Sequence, residues 1–390
     1  MNIHPGVAKG GKVKVLEMID QPFLGGGQKN LLSLSLGLNR DRFEVCVCSK
    51  DGGPLVEEVK RAGIKHYPIC FSKTPSPAIL DEIYTLLKKN HFDIVHTHGG
   101  VAGFFGRLAA KKYGTPFVIH TLHGIHYLHY RNPFLKALFI LQERYLSRFT
   151  HFVIFVSESD RVRGQRYRLV PREKMVLIRN GIDAEKFSQR LLSADKILDY
   201  KKKLGLESSS LIVGTVARLH RQKGIIYLLR AFQKVVLSLP QARLLLVGDG
   251  QLRKKLEKEA AHLGLGKYVL FLGEREDVAE LISIFDVFVL PSLWEGLPFV
   301  LLEAAVAGKP VVASDIEGVR EIIKSGKNGL LVPAKEHRAL ADAILNLLRK
   351  KDLALRLGEQ LRKDVPSRFK IFSMIEETQN LYLKAKKENQ

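Results

Sequence analysis

Short runs rich in β-branched and aromatic residues alternate with amphipathic stretches along almost the whole chain. No other feature constrains the fold as tightly. A β-run that is followed by a helical stretch and then by another β-run returns to its sheet by a crossover, so the series predicts parallel sheets covered by helices. The first series is expected to form strands at Val13 to Ile19, Phe43 to Cys48, Ile94 to His96, Phe117 to His120, Phe152 to Val156 and Val176 to Ile178. From Leu191 to Ser210 the pattern lapses into polar sequence. It then resumes at Leu211 to Val216, Arg243 to Val247, Val269 to Leu272, Val287 to Leu290, Val311 to Ala313 and Leu330 to Val332. The 390 residues are enough for two cores. The expected architecture is therefore α/β: two Rossmann-like, doubly wound domains facing across a cleft, with ligands at the carboxyl ends of the strands. The boundaries read as a first domain over 1–190, a linker over 191–208, a second domain over 209–365 and a C-terminal segment over 366–390. In that last segment a helix from Ile371 to Lys387 follows a break at Pro366 and crosses back to the first domain.

Composition narrows the function classes. Lys and Arg number 62 against 40 Asp and Glu, a formal charge of +22, so the surface attracts anions: nucleic acid, anionic lipid or phosphorylated small molecules. The charge is dispersed, with no basic run interleaved with aromatics and no recognition module, which speaks against nucleic acid. The polar start from Met1 to Lys14 has no signal-peptide core, and nowhere do 18 apolar residues run together. A cytoplasmic protein is expected, and Cys46, Cys48 and Cys70 read as reduced thiols.

Several segments carry chemistry. Gly25, Gly26 and Gly27 sit between the first strand and the helix opening near Gln28, where bare backbone amides can approach a phosphate or sugar; a plain tight turn reads equally well. They do not make a dinucleotide fingerprint, because Asn30 stands where the third glycine would fall. Arg218 and Lys223 flank the loop after Leu211 to Val216. Two cations there suit a metal-free diphosphate site, although two solvated cations fit the same spacing. In Pro291-Ser292-Leu293-Trp294-Glu295-Gly296-Leu297-Pro298-Phe299, one carboxylate, Glu295, lies on a loop. The other, Glu303, lies in the helix that begins at Phe299 and points its first amides at an anion. The histidines at 120, 123, 126 and 129 recur every third residue, but no cysteine or carboxylate has ligand spacing beside them, so no metal is expected. His96 and His98 are expected to line the cleft.

The segment from Glu295 to Glu303 resembles the Glu-x7-Glu motif of the family 4 glycosyltransferases, enzymes of the two-domain GT-B fold. It continues as that family does, with Ala307-Gly308-Lys309-Pro310, Gly318, Glu321 and Asn328-Gly329-Leu330. Upstream, Thr121-Leu122-His123-Gly124, Asn180-Gly181-Ile182-Asp183, Val247-Gly248-Asp249-Gly250 and Phe271-Leu272-Gly273 follow in the family's order. The resemblance implies a retaining hexosyltransferase that needs neither metal nor other cofactor and takes its sugar from a nucleotide diphosphate donor. It implies that Arg218 and Lys223 neutralise the diphosphate, Glu295 contacts the transferred sugar, Glu303 holds the ribose and the amides of Phe299, Val300 and Leu301 bind the distal phosphate. The loop from Gly273 to Arg275 flanks the base, and His123 reaches the sugar. The variant Leu-Trp-Glu-Gly-Leu-Pro is similar to that of surface-polysaccharide and lipopolysaccharide enzymes, which favours a UDP-sugar over GDP-mannose and a glycan or lipid-linked acceptor.

A nucleotide-sugar epimerase on the same fold, a pyridoxal-dependent phosphorylase and a non-enzymatic binding protein are the rival readings. Finally, Tyr130, Phe134, Leu135, Leu138, Phe139 and Leu141 are interspersed with Arg131, Lys136, Arg144 and Arg148, and Arg107, Lys111 and Lys112 add cations. Such a stripe reads either as a peripheral contact with the anionic inner face of the cytoplasmic membrane or as a helix packed on its own sheet with snorkelling cations.

Overall fold

The computed structural model describes residues 11–388 except 73 and 75. The polar start at residues 1–10 lies outside them. The chain forms two compact units, Met1–Asn180 with Ile371–Gln390, and Gly181–Lys370.

The first unit holds β1 (Val13–Met18), β2 (Phe43–Ser49), β3 (Lys65–Pro68), β4 (Ile94–His98), β5 (Phe117–Leu122), β6 (Phe152–Phe155) and β7 (Met175–Leu177) in the order β3-β2-β1-β4-β5-β6-β7. The second holds β8 (Leu211–Val216), β9 (Ala242–Val247), β10 (Val269–Gly273), β11 (Val287–Leu290), β12 (Val311–Ser314) and β13 (Leu330–Val332) in the order β10-β9-β8-β11-β12-β13. All pairs are parallel. In each sheet the chain winds one way from its first strand and then the other, so strand order reverses between β1 and β4 and between β8 and β11. The carboxyl ends of those pairs are where doubly wound sheets hold ligands. Strand β3, Lys-His-Tyr-Pro at a sheet edge, carries no apolar run and was not among the expected strands.

The division lies at Asn180, ahead of the expected boundary. The polar stretch 191–208 sits within the second unit, and most of it is a helix, Ala194–Lys203, rather than a linker. Its Tyr200 hydroxyl donates to Asp277, and buried Lys201 donates to the Ser210 carbonyl at 2.9 Å. The sequence there is polar because one helix face is solvated, not because the chain is unstructured.

Pro366 does not break the chain: it lies in the last turn of the helix Lys351–Arg368, which ends at Phe369. The following helix, Ile371–Glu388, belongs to the first unit, where Met374, Ile375, Leu381 and Tyr382 join the core with Val13, Val15 and Phe43.

The helix Pro133–Ser147 starts cleanly. Pro133 occupies its first turn, and the Asn132 side chain accepts from the amides of Phe134 and Leu135 at 2.9 and 3.1 Å. It is held at its far end, where Glu143 is buried and accepts from both terminal nitrogens of Arg107 at 2.7 and 2.9 Å. Its apolar stripe is not packed on the sheet: Phe134 is 84% exposed, Leu138 58% and Leu141 59%.

Candidate functional site

At the reversal point of the second sheet, β8 leads into a loop bearing exposed Arg218, and a single turn, Arg221–Lys223, carries the chain to Gly224. Strand β11 leads into Pro291 to Glu295. The two loops touch: a Cβ on Gly224 would lie 2.1 Å from the Pro291 carbonyl oxygen, and Gly224 has φ +63°. Only glycine permits this approach. The consequence is a close cluster. Lys223 Nζ lies 2.5 Å from Glu295 Oε1, Ser292 Oγ donates to the same oxygen at 2.6 Å, and Gln222 Nε2 donates to Glu295 Oε2 at 3.2 Å. Gln222 also donates to the Trp294 carbonyl at 2.9 Å and is buried. The Glu295 loop is backed by Gly318, where a Cβ would fall 2.0 Å from the Gly296 carbonyl oxygen. Ser292 and Gln222 went unnoticed in sequence, because a lone serine and glutamine have no distinguishing spacing.

Of the other expected residues in this unit, Glu303 is buried in the helix Phe299–Val306, just over one turn in from its start. The Leu301 amide donates to the Pro298 carbonyl at 3.1 Å, which leaves the amides of Phe299 and Val300 as the better anion donors at that helix start. Gly273, at φ +69°, turns the chain out of β10. Arg275 is locked by Asp277 through bonds of 2.8 and 2.5 Å, which hold its guanidinium above its usual range. Tyr200 shares that carboxylate, and burial together with Asp277 pushes its hydroxyl up to about 12. Arg218, by contrast, has no ion-pair partner among the described residues.

The first unit has its own polar centre at the reversal between β1 and β4. Parallel register sets Glu17 beside His96 and His98 beside Thr121. All four are buried. Glu17 Oε2 accepts from His98 Nε2 at 2.7 Å, Glu17 Oε1 accepts from Tyr382 Oη at 2.6 Å, and His98 Nδ1 lies 2.9 Å from His123 Nε2. His96 is held between Tyr382 and Thr121 at 2.5 and 2.7 Å. Burial alone would raise the Glu17 carboxyl, but His96 and His98 outweigh it and hold it well below the usual carboxylate range. Burial pushes His98 down to about 4 and, with His98 beside it, takes His123 well below the usual imidazole range. Two expectations need correcting here. His96 and His98 are wholly buried rather than facing a cleft, and a carboxylate, Glu17, does stand beside the histidines, brought in from another strand. Glu17, His96 and His98 place ligand-type atoms within 4.8 Å of one another, yet those atoms are joined to one another and to Tyr382 by hydrogen bonds, so the group reads as a hydrogen-bonded network.

The His123 ring packs on the glycine loop: a Cβ on Gly27 would lie 3.1 Å from His123 Cδ2. Gly26 opens the helix Gly26–Gly37 with Gly25 as its cap and is exposed, and Gly27 follows it in the first turn. The loop is thus a helix start with small residues against an imidazole, more than a plain turn. Tyr382 had no sequence signal at all, since it comes from the far end of the chain.

Comparison with known proteins places this geometry. The model "Glycosyl transferases group 1" matches residues 196–364 and "Glycosyltransferase Family 4" matches residues 24–186. The chain is 29% identical over 379 residues to the Escherichia coli UDP-Gal:alpha-D-GlcNAc-diphosphoundecaprenol alpha-1,3-galactosyltransferase, covering 95% of this chain and 97% of that one. It is 31% identical to the Bacillus subtilis putative glycosyltransferase EpsD over 77% of this chain and 80% of that one. Among solved structures, Anabaena HepE in complex with UDP and glucose superposes with a TM-score of 0.84 at 23% identity, over 95% of this chain and all of that one, which gives the GT-B fold. The two sheets, the Lys223–Glu295 cluster at the second reversal point and these matches lead to one conclusion: the chain belongs to the group 1, family 4 glycosyltransferases.

Proposed function

We propose that this protein is a retaining, metal-independent hexosyltransferase that moves a sugar from a UDP-sugar to a glycan carried on a lipid diphosphate. The observation that carries the reading is the cluster at the second reversal point, where Lys223 is seated on Glu295 and exposed Arg218 stands on the adjoining loop. Lys223 has further N–H donors beyond the one given to Glu295, and with Arg218 it supplies the positive charge that a departing diphosphate needs. Glu295, with one oxygen shared by Lys223 and Ser292, positions the hydroxyls of the transferred sugar. Glu303 holds the ribose, the amides of Phe299 and Val300 bind the distal phosphate, and Gly273 gives the base a flat approach. Arg275, already clamped by Asp277, shapes that loop. In the first unit His123, Gly26 and Gly27 meet the donor sugar.

Retention follows a front-side path. The glycosidic bond to phosphate breaks as the acceptor oxygen approaches from the same face, and the departing phosphate oxygen takes the acceptor's proton. Glu17 does not serve as a nucleophile, because it is wholly buried beneath His98 and Tyr382 and cannot reach an anomeric carbon. The E. coli relative's name specifies a UDP-sugar and a diphosphoundecaprenol acceptor, and the near full-length match supports the same substrate classes here.

Membrane contact belongs to the same proposal. The exposed Phe134, Leu138 and Leu141 form an apolar stripe beside Arg131, Lys136, Arg144 and Arg148, suited to the head-group region of an anionic bilayer. Among the described residues no helix is long and apolar enough to cross a membrane, so the contact is peripheral. Thermal protection by a panel of UDP-, GDP- and ADP-sugars tests the donor: selective protection by a UDP-sugar is expected, and protection by GDP-mannose alone would replace it.

A further inference from the structure

Nothing in the reaction as described uses the buried Glu17 or His98, although a buried carboxylate in line with two imidazoles is costly unless each donor and acceptor is matched. The matching fixes every proton. An ionised Glu17 can only accept, so the proton between it and His98 sits on His98 Nε2. His98 Nδ1 then carries a lone pair, and the 2.9 Å contact to His123 requires the proton to sit on His123 Nε2. His123 Nδ1 is left as an acceptor. That nitrogen is buried and has no hydrogen-bond partner among the described residues. The ring is held from moving by its bond to His98, the two rings meeting edge to edge with planes 16° from parallel, and by its contact with Gly27. Burial of His98 and His123 favours their neutral forms, which the chain of bonds requires.

We infer that Glu17 and His98 are positioning residues that hold His123 as the Nε2–H tautomer, so that its Nδ1 lone pair accepts a hydroxyl of the donor sugar and presents the negative end of a polarised chain to it. This rests on the reading of His123 as a sugar contact. A carboxylate holding an imidazole in one tautomer is a known device for making a histidine act in one sense only. Here the effect differs from proton transfer. The sugar gains positive charge as its bond to phosphate breaks, and a lone pair backed by the Glu17 charge stabilises that state more than the ground state. No proton moves along the chain, and Tyr382, donating to the other Glu17 oxygen, fixes the carboxylate from behind.

Ring ¹⁵N spectra of the ligand-free protein, with His123 assigned by loss of its signals in His123→Gln, read the tautomer directly and need no active enzyme. The expected result is a protonated Nε2 and an unprotonated Nδ1 at neutral pH; a protonated Nδ1, or an imidazolium, overturns the inference. Added UDP-galactose should shift the Nδ1 resonance in the direction of an accepted hydrogen bond. In Glu17→Gln, kcat for UDP-galactose turnover should fall by about 10–100-fold with KM for the donor within threefold. A kcat within twofold of wild type in the folded variant, or a loss confined to KM, rejects the positioning role. Should the wild-type protein bind no nucleotide sugar, the donor reading falls, while the ligand-free spectrum still decides the tautomer.

Discussion

Replacing Phe134, Leu138 and Leu141 together by serine removes the apolar stripe of the Pro133–Ser147 helix while leaving its anchor, Arg107 with Glu143, in place. At exposures of 84%, 58% and 59% the three side chains offer about two whole side chains of apolar surface to a bilayer. Fully burying a Phe or Leu side chain is worth about 1.5–3 kcal/mol, so the triple variant should lose about 3–6 kcal/mol of gross insertion energy. Even half of that lowers partitioning by about tenfold or more. Folding stability should change little, because the removed atoms contact mainly solvent. Flotation with vesicles of graded anionic-lipid content measures this: wild type should float at low salt in proportion to anionic lipid, and the variant should stay at the bottom of the gradient with an unchanged Tm. A triple variant that floats like wild type, or wild type indifferent to lipid charge, rules out this membrane contact and points to a soluble acceptor.

Glu303→Ala should weaken nucleoside diphosphate binding by about 1.5–3 kcal/mol, read by calorimetry; unchanged affinity in a folded variant removes Glu303 from the ribose site. Gly224→Ala sets a Cβ 2.1 Å from the Pro291 oxygen in a left-handed backbone, so a loss of about 2 kcal/mol or more and a Tm fall of about 4–8 °C are expected by calorimetry; a shift under about 1 °C would show that the two loops yield freely. Stability should fall as pH drops from 6.5 to about 4, because the unfolded chain protonates His98 there while the folded one does not. Glu17, its folded carboxyl being depressed, adds a further loss in the same direction only as pH falls below about 4.5. A Tm that is flat across this window, or no flatter in His98→Asn than in wild type, would count against the neutral relay.

The sheets were legible because parallel strands buried on both faces must be continuously apolar, as Leu244 to Val247 and Val287 to Leu290 are. The edge strand Lys65–Pro68 escaped for the opposite reason. The Glu295 loop could be read because Gly296, Pro298 and Glu303 leave a fixed spacing along one segment. Its partner Gln222 could not, since the contact depends on Gly224 letting one loop lie on another. The histidine centre shows the limit most clearly. His123 stood out by its local context, but Glu17, His98 and Tyr382 reach it from β1, β4 and the last helix, and only register and packing reveal that they meet. The boundary at Asn180 was missed because polar composition, which looks like a linker, also marks a half-exposed helix.

The proposed reaction is transfer of a hexose from a UDP-sugar with Arg218 and Lys223 taking the place of a metal. Incubating the purified protein with radiolabelled UDP-hexoses and a polyprenyl-diphosphate-linked sugar in excess EDTA, then determining the anomeric configuration of the product by NMR, tests it in one measurement. Label in the lipid fraction and an α-linkage from the α-configured donor are expected. A β-linkage, transfer restored only by Mg²⁺ or Mn²⁺, or label that never reaches the lipid fraction would contradict it.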